Sequence, residues 1–144
     1  MQRELVTLAA LAFGGFAFAQ ATPVGLWRSV DDQTGEVKAG IRISDSGGSL
    51  LGRIEKTLKK DTPANATCEE CSDDRRGKPI LGLEIVRGGK KAEGKDVWEG
   101  GRILDPENGK EYRASFTPIE GGKRMEVRGY LGPFWRTQTW NRVQ

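Results

Sequence analysis

The stretch from Gly101 to Leu131 reads GRILDPENGKEYRASFTPIEGGKRMEVRGYL, and it decides the fold. Three runs in it alternate apolar and polar residues, and turn-forming residues at Pro106–Gly109 and Glu120–Lys123 separate them. Such alternation predicts β-strands, because successive side chains of a strand point to opposite faces. Connections this short predict antiparallel hairpins, so the stretch is expected to form three consecutive antiparallel strands.

Three turns set the predicted strand pairing, and all three bring apolar residues to one face of the sheet. They lie at Gly47-Gly48, Asn108-Gly109 and Gly121-Gly122. The opposite face collects charged side chains, which is typical of a sheet with one face in the core and one in water. The predicted pairs are Ile43 with Gly52, Ile41 with Ile54, Ile103 with Ala114 (or with Tyr112 if Pro106–Gly109 is a four-residue loop), Ala114 with Gly129, and Phe116 with Val127.

Further β-prone runs on both sides of this stretch complete the predicted fold, an all-β, eight-stranded antiparallel up-and-down barrel. An eight-stranded sheet of this kind can close on itself and remove its exposed edges. One connection is much longer than the others, the polar segment Lys59–Pro79, which is expected to be either a lid or a loose excursion. The predicted strands are Leu26–Val30, Lys38–Ser44, Leu50–Leu58, Leu81–Arg87, Val97–Leu104, Glu111–Pro118, Arg124–Leu131 and Phe134–Val143.

The first residues have the pattern of a secretory signal. Arg3 precedes the apolar run Leu5–Phe18, and small residues follow it. The run is shorter than the roughly 20 residues that a membrane-spanning helix needs. Cleavage after Ala19 or Ala21 predicts a signal peptide at residues 1–21 and a single barrel domain at residues 22–144. We therefore expect an exported protein, periplasmic or secreted, without stable insertion into a membrane.

Composition narrows the functional classes. The chain has no histidine, which excludes Ser-His-Asp and Cys-His catalysis and most catalytic zinc sites. No catalytic constellation is found among the remaining residue types, so the sequence predicts a protein that is not an enzyme and holds no metal or cofactor. The net charge is only +3 and basic residues are interleaved with acidic ones, which argues against binding of nucleic acid.

The predicted inward face carries several small residues among larger apolar ones. The interior of an eight-stranded barrel is either filled by side chains or holds one small ligand. Small inward residues favour space, but glycines can also serve only to let strands coil or bulge, and both interpretations stay open. The same alternation puts Glu99 inside, where it would pair with Arg136 or anchor a polar group of a ligand. The small inward residues are Ala39, Gly52, Gly101, Ala114 and Gly129.

Cys68-Glu69-Glu70-Cys71 is the one motif that resembles a reactive site. In an oxidising compartment the two cysteines are expected to form a disulfide across a tight turn. A redox couple of the thioredoxin kind is the alternative, and it requires the first cysteine at a helix N-terminus. The flanking residues are polar loop formers, which favours the structural disulfide.

Several motifs, taken in order along the chain, resemble domain of unknown function 2147, a bacterial family of exported proteins. The resemblance covers nearly the whole mature chain and implies a lipocalin-like (calycin-like) barrel in an exported protein. No enzymatic activity is established for the family, so the resemblance implies a fold and a location more than a function. In lipocalins a Gly-x-Trp of the first strand packs under a basic side chain from the end of the last strand. Trp27 and Arg142 occupy the matching places, so the resemblance implies a cation–π pair that closes one end of the barrel. The motifs are Gly25-Leu26-Trp27, Cys68-x-x-Cys71, Gly82-Leu83, Trp98-Glu99-Gly100-Gly101-Arg102-Ile103-Leu104-Asp105-Pro106, Gly109-Lys110-x-Tyr112, Val127-Arg128-Gly129-Tyr130-Leu131-Gly132 and Arg136-Thr137-Gln138-Thr139-Trp140-x-Arg142.

Three functional hypotheses follow. The first is binding of a small, mostly apolar molecule in the barrel interior. The second is a filled barrel that acts as an envelope protein-interaction module through an outer face carrying Trp98, Arg102, Arg128 and Tyr130. The third is a thiol-redox protein acting through Cys68 and Cys71. The ligand-binding residues that the first hypothesis predicts are Ile41, Ile43, Ile54, Leu83, Ile85, Glu99, Ile103, Tyr112, Phe116, Met125 and Val127.

Overall fold

Nine β-strands and one short 3-10 helix form the regular structure of residues 21–144, the part of the chain that this computed structural model describes. The predicted signal peptide, except for its last residue, lies outside the described residues. All eight predicted strands are present, and a two-residue strand is added to them. The strands are β1 (Gly25–Val30), β2 (Val37–Ser46), β3 (Ser49–Thr57), β4 (Glu84–Arg87), β5 (Lys90–Lys91), β6 (Trp98–Asp105), β7 (Lys110–Ile119), β8 (Arg124–Leu131) and β9 (Phe134–Arg142); the helix is Glu120–Gly122.

The strands close into a barrel. Every strand except β5 pairs antiparallel with its two neighbours in the order β1-β2-β3-β4-β6-β7-β8-β9, and β9 pairs with β1. The seam between β4 and β6 is short and consists of the pairs Val86–Ile103 and Arg87–Arg102. The added strand β5 pairs with the first residues of β6. The prediction of an all-β, eight-stranded up-and-down barrel is confirmed.

The three predicted registers hold, and the structure selects one of the two alternatives at the β6–β7 turn. Ile43 pairs with Gly52, and Phe116 pairs with Val127. Ile103 pairs with Tyr112, as the four-residue loop requires. In that loop Gly109 has a φ of +71° and its N–H donates to the carbonyl of Asp105.

Strict alternation fails at one place in β6. A bulge lies between Trp98 and Gly101, with Gly100 at a φ of +70°. The extra residue reverses the facing of the residues before it. Trp98 therefore lies opposite Phe116 in the core and is only 8% exposed, whereas Glu99 is exposed. The expectations that Glu99 faces inward and Trp98 outward are both wrong, because they assumed an unbroken strand.

One end of the barrel is closed around the first and last strands. The Arg142 guanidinium lies 4.2 Å from the centre of the Trp27 ring. Arg142 also donates hydrogen bonds to the carbonyls of Thr22, Val24 and Gly122. These contacts tie both ends of the described chain to the last residue of the 3-10 helix. Large buried side chains fill the barrel next to this closure. That fill consists of Leu50, Trp98, Phe116 and Met125.

The long connection 59–79 is not a loose excursion, because it packs against the barrel. Its Cys68–Cys71 disulfide is formed, and both cysteines are buried. The turn they close lies against the β6–β7 turn, where a Cβ on Gly109 would overlap the carbonyl of Glu70. The buried Arg75 guanidinium donates to Glu111 of β7 and to the carbonyl of Glu84 of β4. The connection, which we call the clasp, thus spans the outside of the short β4–β6 seam.

Candidate ligand-binding cavity

A cavity of about 500 Å³ occupies the end of the barrel opposite Trp27 and Arg142. Its mouth lies between the β6–β7 turn, the β8–β9 turn and the first residues of the clasp. Its deep wall is mainly aliphatic, and charged side chains belong to its mouth. The apolar residues of its wall are Ala39, Ile41, Ile54, Ile80, Ile85, Ile103, Leu104, Pro106, Tyr112, Val127, Gly129, Leu131, Phe134 and Trp140, and the exposed Trp135 borders its rim.

The small inward residues have two different roles, which depend on whether they lie near the closed end of the barrel or near its mouth. At the closed end, a Cβ on Gly52 would lie 2.8 Å from the Cβ of Val86, and one on Gly101 would lie 3.1 Å from the ring of Phe116. These glycines make room for neighbouring side chains and border no cavity. Nearer the mouth Gly129 does line the cavity, and its Cβ would have only ordinary contacts with Tyr112.

Some of the predicted binding residues lie at the open end of the barrel and others lie at the closed end. Six of them line the cavity, three are buried in the filled end, Leu83 is buried beside a separate outer groove, and Glu99 is exposed on the surface. That any of them contacts a ligand stays a prediction. The six lining residues are Ile41, Ile54, Ile85, Ile103, Tyr112 and Val127, and the three in the filled end are Ile43, Phe116 and Met125.

Strand β9 supplies lining residues that the sequence analysis missed. Leu131 pairs with Phe134 across a two-residue Gly132-Pro133 turn, so Phe134 and every second residue after it face the interior. Gln138 and Trp140 thereby reach the cavity wall. The alternation of β9 is visible in the sequence, but which of its residues face inward depends on the length of that turn.

Most of the charged side chains at the mouth are ion-paired. Lys38 and Lys59 both bind the carboxylate of Glu107, and the guanidinium of Arg136 binds Asp32. The neighbouring Lys59 ammonium lowers the pKa of Glu107, and Arg136 lowers the pKa of Asp32. Arg136 thus faces the mouth and pairs with Asp32 of the β1–β2 loop, not with Glu99.

The deeper wall has few polar groups. The Trp140 indole N–H donates to the side-chain carbonyl of Gln138 at 3.5 Å, and the Ser29 hydroxyl donates to the Ala39 carbonyl at 3.4 Å. An apolar wall with a few polar groups, open at one end, is the usual form of a small-molecule site.

Two structural features are absent from residues 21–144. In that range no group of three or more His, Cys, Asp or Glu side chains is placed to hold a metal ion. No helix in the same range is long and apolar enough to cross a membrane.

A closed, eight-stranded, up-and-down antiparallel barrel around an interior cavity is a lipocalin-like fold. A solved structure has the same fold: protein HP1028 from the human pathogen Helicobacter pylori, described as belonging to the lipocalin family. The two structures superpose with a TM-score of 0.70 over 84% of this chain and 82% of that chain, at 16% sequence identity. At that identity the likeness concerns the fold alone.

The sequence itself matches a family over nearly the whole barrel. Residues 25–142 match the family described as an uncharacterized protein conserved in bacteria, DUF2147. The chain therefore belongs to DUF2147, as its motifs indicate. No curated protein sequence matches the chain significantly.

Proposed function

We propose that this protein is an exported binding barrel, not an enzyme, which takes up one small, mostly apolar molecule through the open mouth. The observation that carries this proposal is the cavity of about 500 Å³ with its aliphatic wall. Small-molecule sites in proteins commonly measure about 300–1,000 Å³, so the space suits a single ligand.

The position of the polar groups indicates the chemistry of the ligand. Aliphatic side chains such as Ile41, Ile54 and Val127 surround the deep space, which favours an apolar body. At the mouth Lys38, Lys59 and Glu107 form an ion-paired cluster that a polar end of the ligand would meet. The favoured ligand therefore has an apolar body and one polar end.

The two competing hypotheses gain less support. The interaction-module hypothesis assumed a filled barrel with Trp98 outside, whereas the barrel contains a cavity and Trp98 is buried. The redox hypothesis requires an accessible thiol. Cys68 and Cys71 are buried in a disulfide beneath the carbonyl of Pro106, a place that favours a structural role.

Titration with the apolar fluorescent probe N-phenylnaphthylamine tests the proposal, with a cavity-filling variant as the critical comparison. The wild-type protein is expected to give a saturable rise in probe emission. Gly129→Leu projects a side chain into the cavity from a backbone that needs no positive φ. We expect it to weaken probe binding about tenfold, because a filled site must deform to admit the probe.

Gly40→Leu is the matched control. Gly40 also lies in a strand without a positive φ, its Cβ would have ordinary contacts with Lys56, and it does not line the cavity. This variant should bind the probe as the wild type does. Unsaturable emission in the wild type, or equal affinity in the wild type and Gly129→Leu, would refute the cavity as the binding site.

A further inference from the structure

A row of basic and aromatic side chains crosses the outer wall just below the cavity mouth. Strand register places Arg102 of β6 opposite Arg113 of β7, Arg113 opposite Tyr130 of β8, and Tyr130 opposite Trp135 of β9. Because directly paired residues of a sheet share a face, the four side chains lie side by side on the outside. Arg128 is next to this row, with its guanidinium 5.8 Å from the centre of the Trp135 ring.

Two positively charged side chains of this row are neighbours, and their repulsion lowers the stability of the fold. Arg102 and Arg113 are direct cross-strand partners, and like charges in such pairs are destabilising. Arg102 binds Glu111, but neither Arg113 nor Arg128 has an ion-pair partner among residues 21–144. Two arginines without carboxylate partners on one wall favour an anionic binding partner.

The row continues into an apolar tip at the β8–β9 turn. Leu131 is 64% exposed, Phe134 is 74% exposed and Trp135 is 62% exposed. Large apolar side chains grouped in this way on a surface indicate an interaction site. Tryptophan, tyrosine and arginine beside an apolar tip are the residues that favour the boundary between lipid head groups and acyl chains.

We propose that the β8–β9 tip and the row behind it dock reversibly on an anionic lipid surface. The tip enters the head-group layer, and Arg113 and Arg128 contact lipid phosphates. Leu131 and Phe134 also border the cavity, so docking brings the mouth against the layer in which an apolar ligand is dissolved. This continuity with the mouth favours lipid over a protein partner. The inference builds on the proposed ligand binding, since it supplies the route by which the ligand enters.

Flotation with lipid vesicles tests the docking. The purified protein is expected to float with vesicles of mixed phosphatidylcholine and phosphatidylglycerol, and much less with phosphatidylcholine alone. The double variant Arg113→Gln/Arg128→Gln should bind the anionic vesicles about 25-fold more weakly, since each basic side chain near an anionic surface contributes about fivefold. Phe134→Ser should weaken binding even in high salt, because its contribution is apolar.

Arg42→Gln/Arg53→Gln is the matched control, since it removes the same charge from exposed, ion-paired arginines of β2 and β3. It should bind vesicles within about twofold of the wild type. Equal loss in the two double variants, or no flotation of the wild type with any vesicle, would overturn the docking. Probe titration without vesicles separates the two proposals, because Arg113 and Arg128 do not line the cavity and their variant should bind the probe normally.

Discussion

At the scale of single residues, Arg142 organises the closed end of the barrel. Its guanidinium stacks on Trp27 and donates to the carbonyls of Thr22, Val24 and Gly122. A planar guanidinium can stack on a ring while its edge donates several hydrogen bonds, which a lysine ammonium cannot do. The contribution of Arg142 therefore depends on its shape as well as its charge.

Arg142→Lys should lower the free energy of unfolding by about 2 kcal/mol, because carbonyls in a partly buried site lose their donors. Urea denaturation measures this change. Arg124→Lys is the control, since the exposed Arg124 pairs with Glu120 on the surface and its change should stay within about 0.5 kcal/mol. Equal losses in both variants would mean that Arg142 acts as a surface charge only.

Arg75 has the corresponding role in the clasp, and it gives the clasp a dependence on pH. Its side chain is 2% exposed and binds Asp73 and Glu111. The hydrogen-bonded Arg75 guanidinium lowers the pKa of Asp73 from 3.8 to about 2. Since the pKa is depressed in the folded state, the stabilisation is complete above the unfolded value and is lost as the pH falls towards the folded value.

Wild-type stability should therefore fall more steeply than that of Asp73→Asn between about pH 4 and pH 2. Above pH 5 the variant should be the less stable protein by a constant difference. Urea midpoints measured across this range give the comparison. Parallel pH profiles for the two proteins would show that the Arg75–Asp73 pair does not stabilise the fold.

At the scale of elements, docking of the clasp depends on one glycine in the β6–β7 turn. Gly109 has a φ of +71°, and a Cβ there would overlap the carbonyl of Glu70. Gly35 in the β1–β2 loop has a nearly identical φ of +73°, but nothing lies within 4 Å of its Cβ position. Both glycines thus need a positive φ, but only Gly109 contacts the clasp.

Gly35→Ala should cost about 1 kcal/mol, because alanine disfavours this backbone conformation. Gly109→Ala should cost clearly more, because the added methyl group also displaces the disulfide turn. Urea denaturation gives the two values, and limited proteolysis should cut the clasp faster in Gly109→Ala only. Similar costs and similar cleavage would show that contact with Gly109 does not hold the clasp.

The elements also show how far a local pattern predicts structure. The registers of β2–β3 and β7–β8 were predictable because paired glycines mark their turns and alternation marks their faces. Gly100-Gly101 has the same appearance, but it forms a bulge within a strand, which reversed Trp98 and Glu99. Docking of the clasp was not predictable, since it depends on Arg75 reaching Glu111, a contact between distant parts of the chain.

At the scale of the whole molecule, the barrel is filled at one end and open at the other. The inward face was predictable from alternation, but the division of that face into fill and cavity wall was not. It depends on where large side chains meet across the barrel. The ring of Phe116 takes up the space beside Gly101, whereas a Cβ on Gly129 would have only ordinary contacts with Tyr112. The volume of the interior is therefore a property of tertiary packing.

The same asymmetry places both proposed functional surfaces at one end. The cavity mouth, its ion pairs around Glu107 and the exposed Phe134–Trp135 tip all lie opposite the Trp27–Arg142 closure. A filled closed end and an open mouth fit the proposed barrel, which would admit and release a ligand without unfolding.

Native mass spectrometry of the purified protein, before and after incubation with a lipid extract of the cell envelope, tests this account most directly. We predict a population heavier than the bare chain by the mass of one small ligand, retained in Gly40→Leu and strongly reduced in Gly129→Leu. The bare chain alone under both conditions, or an adduct of equal abundance in the two variants, would contradict a ligand-binding cavity.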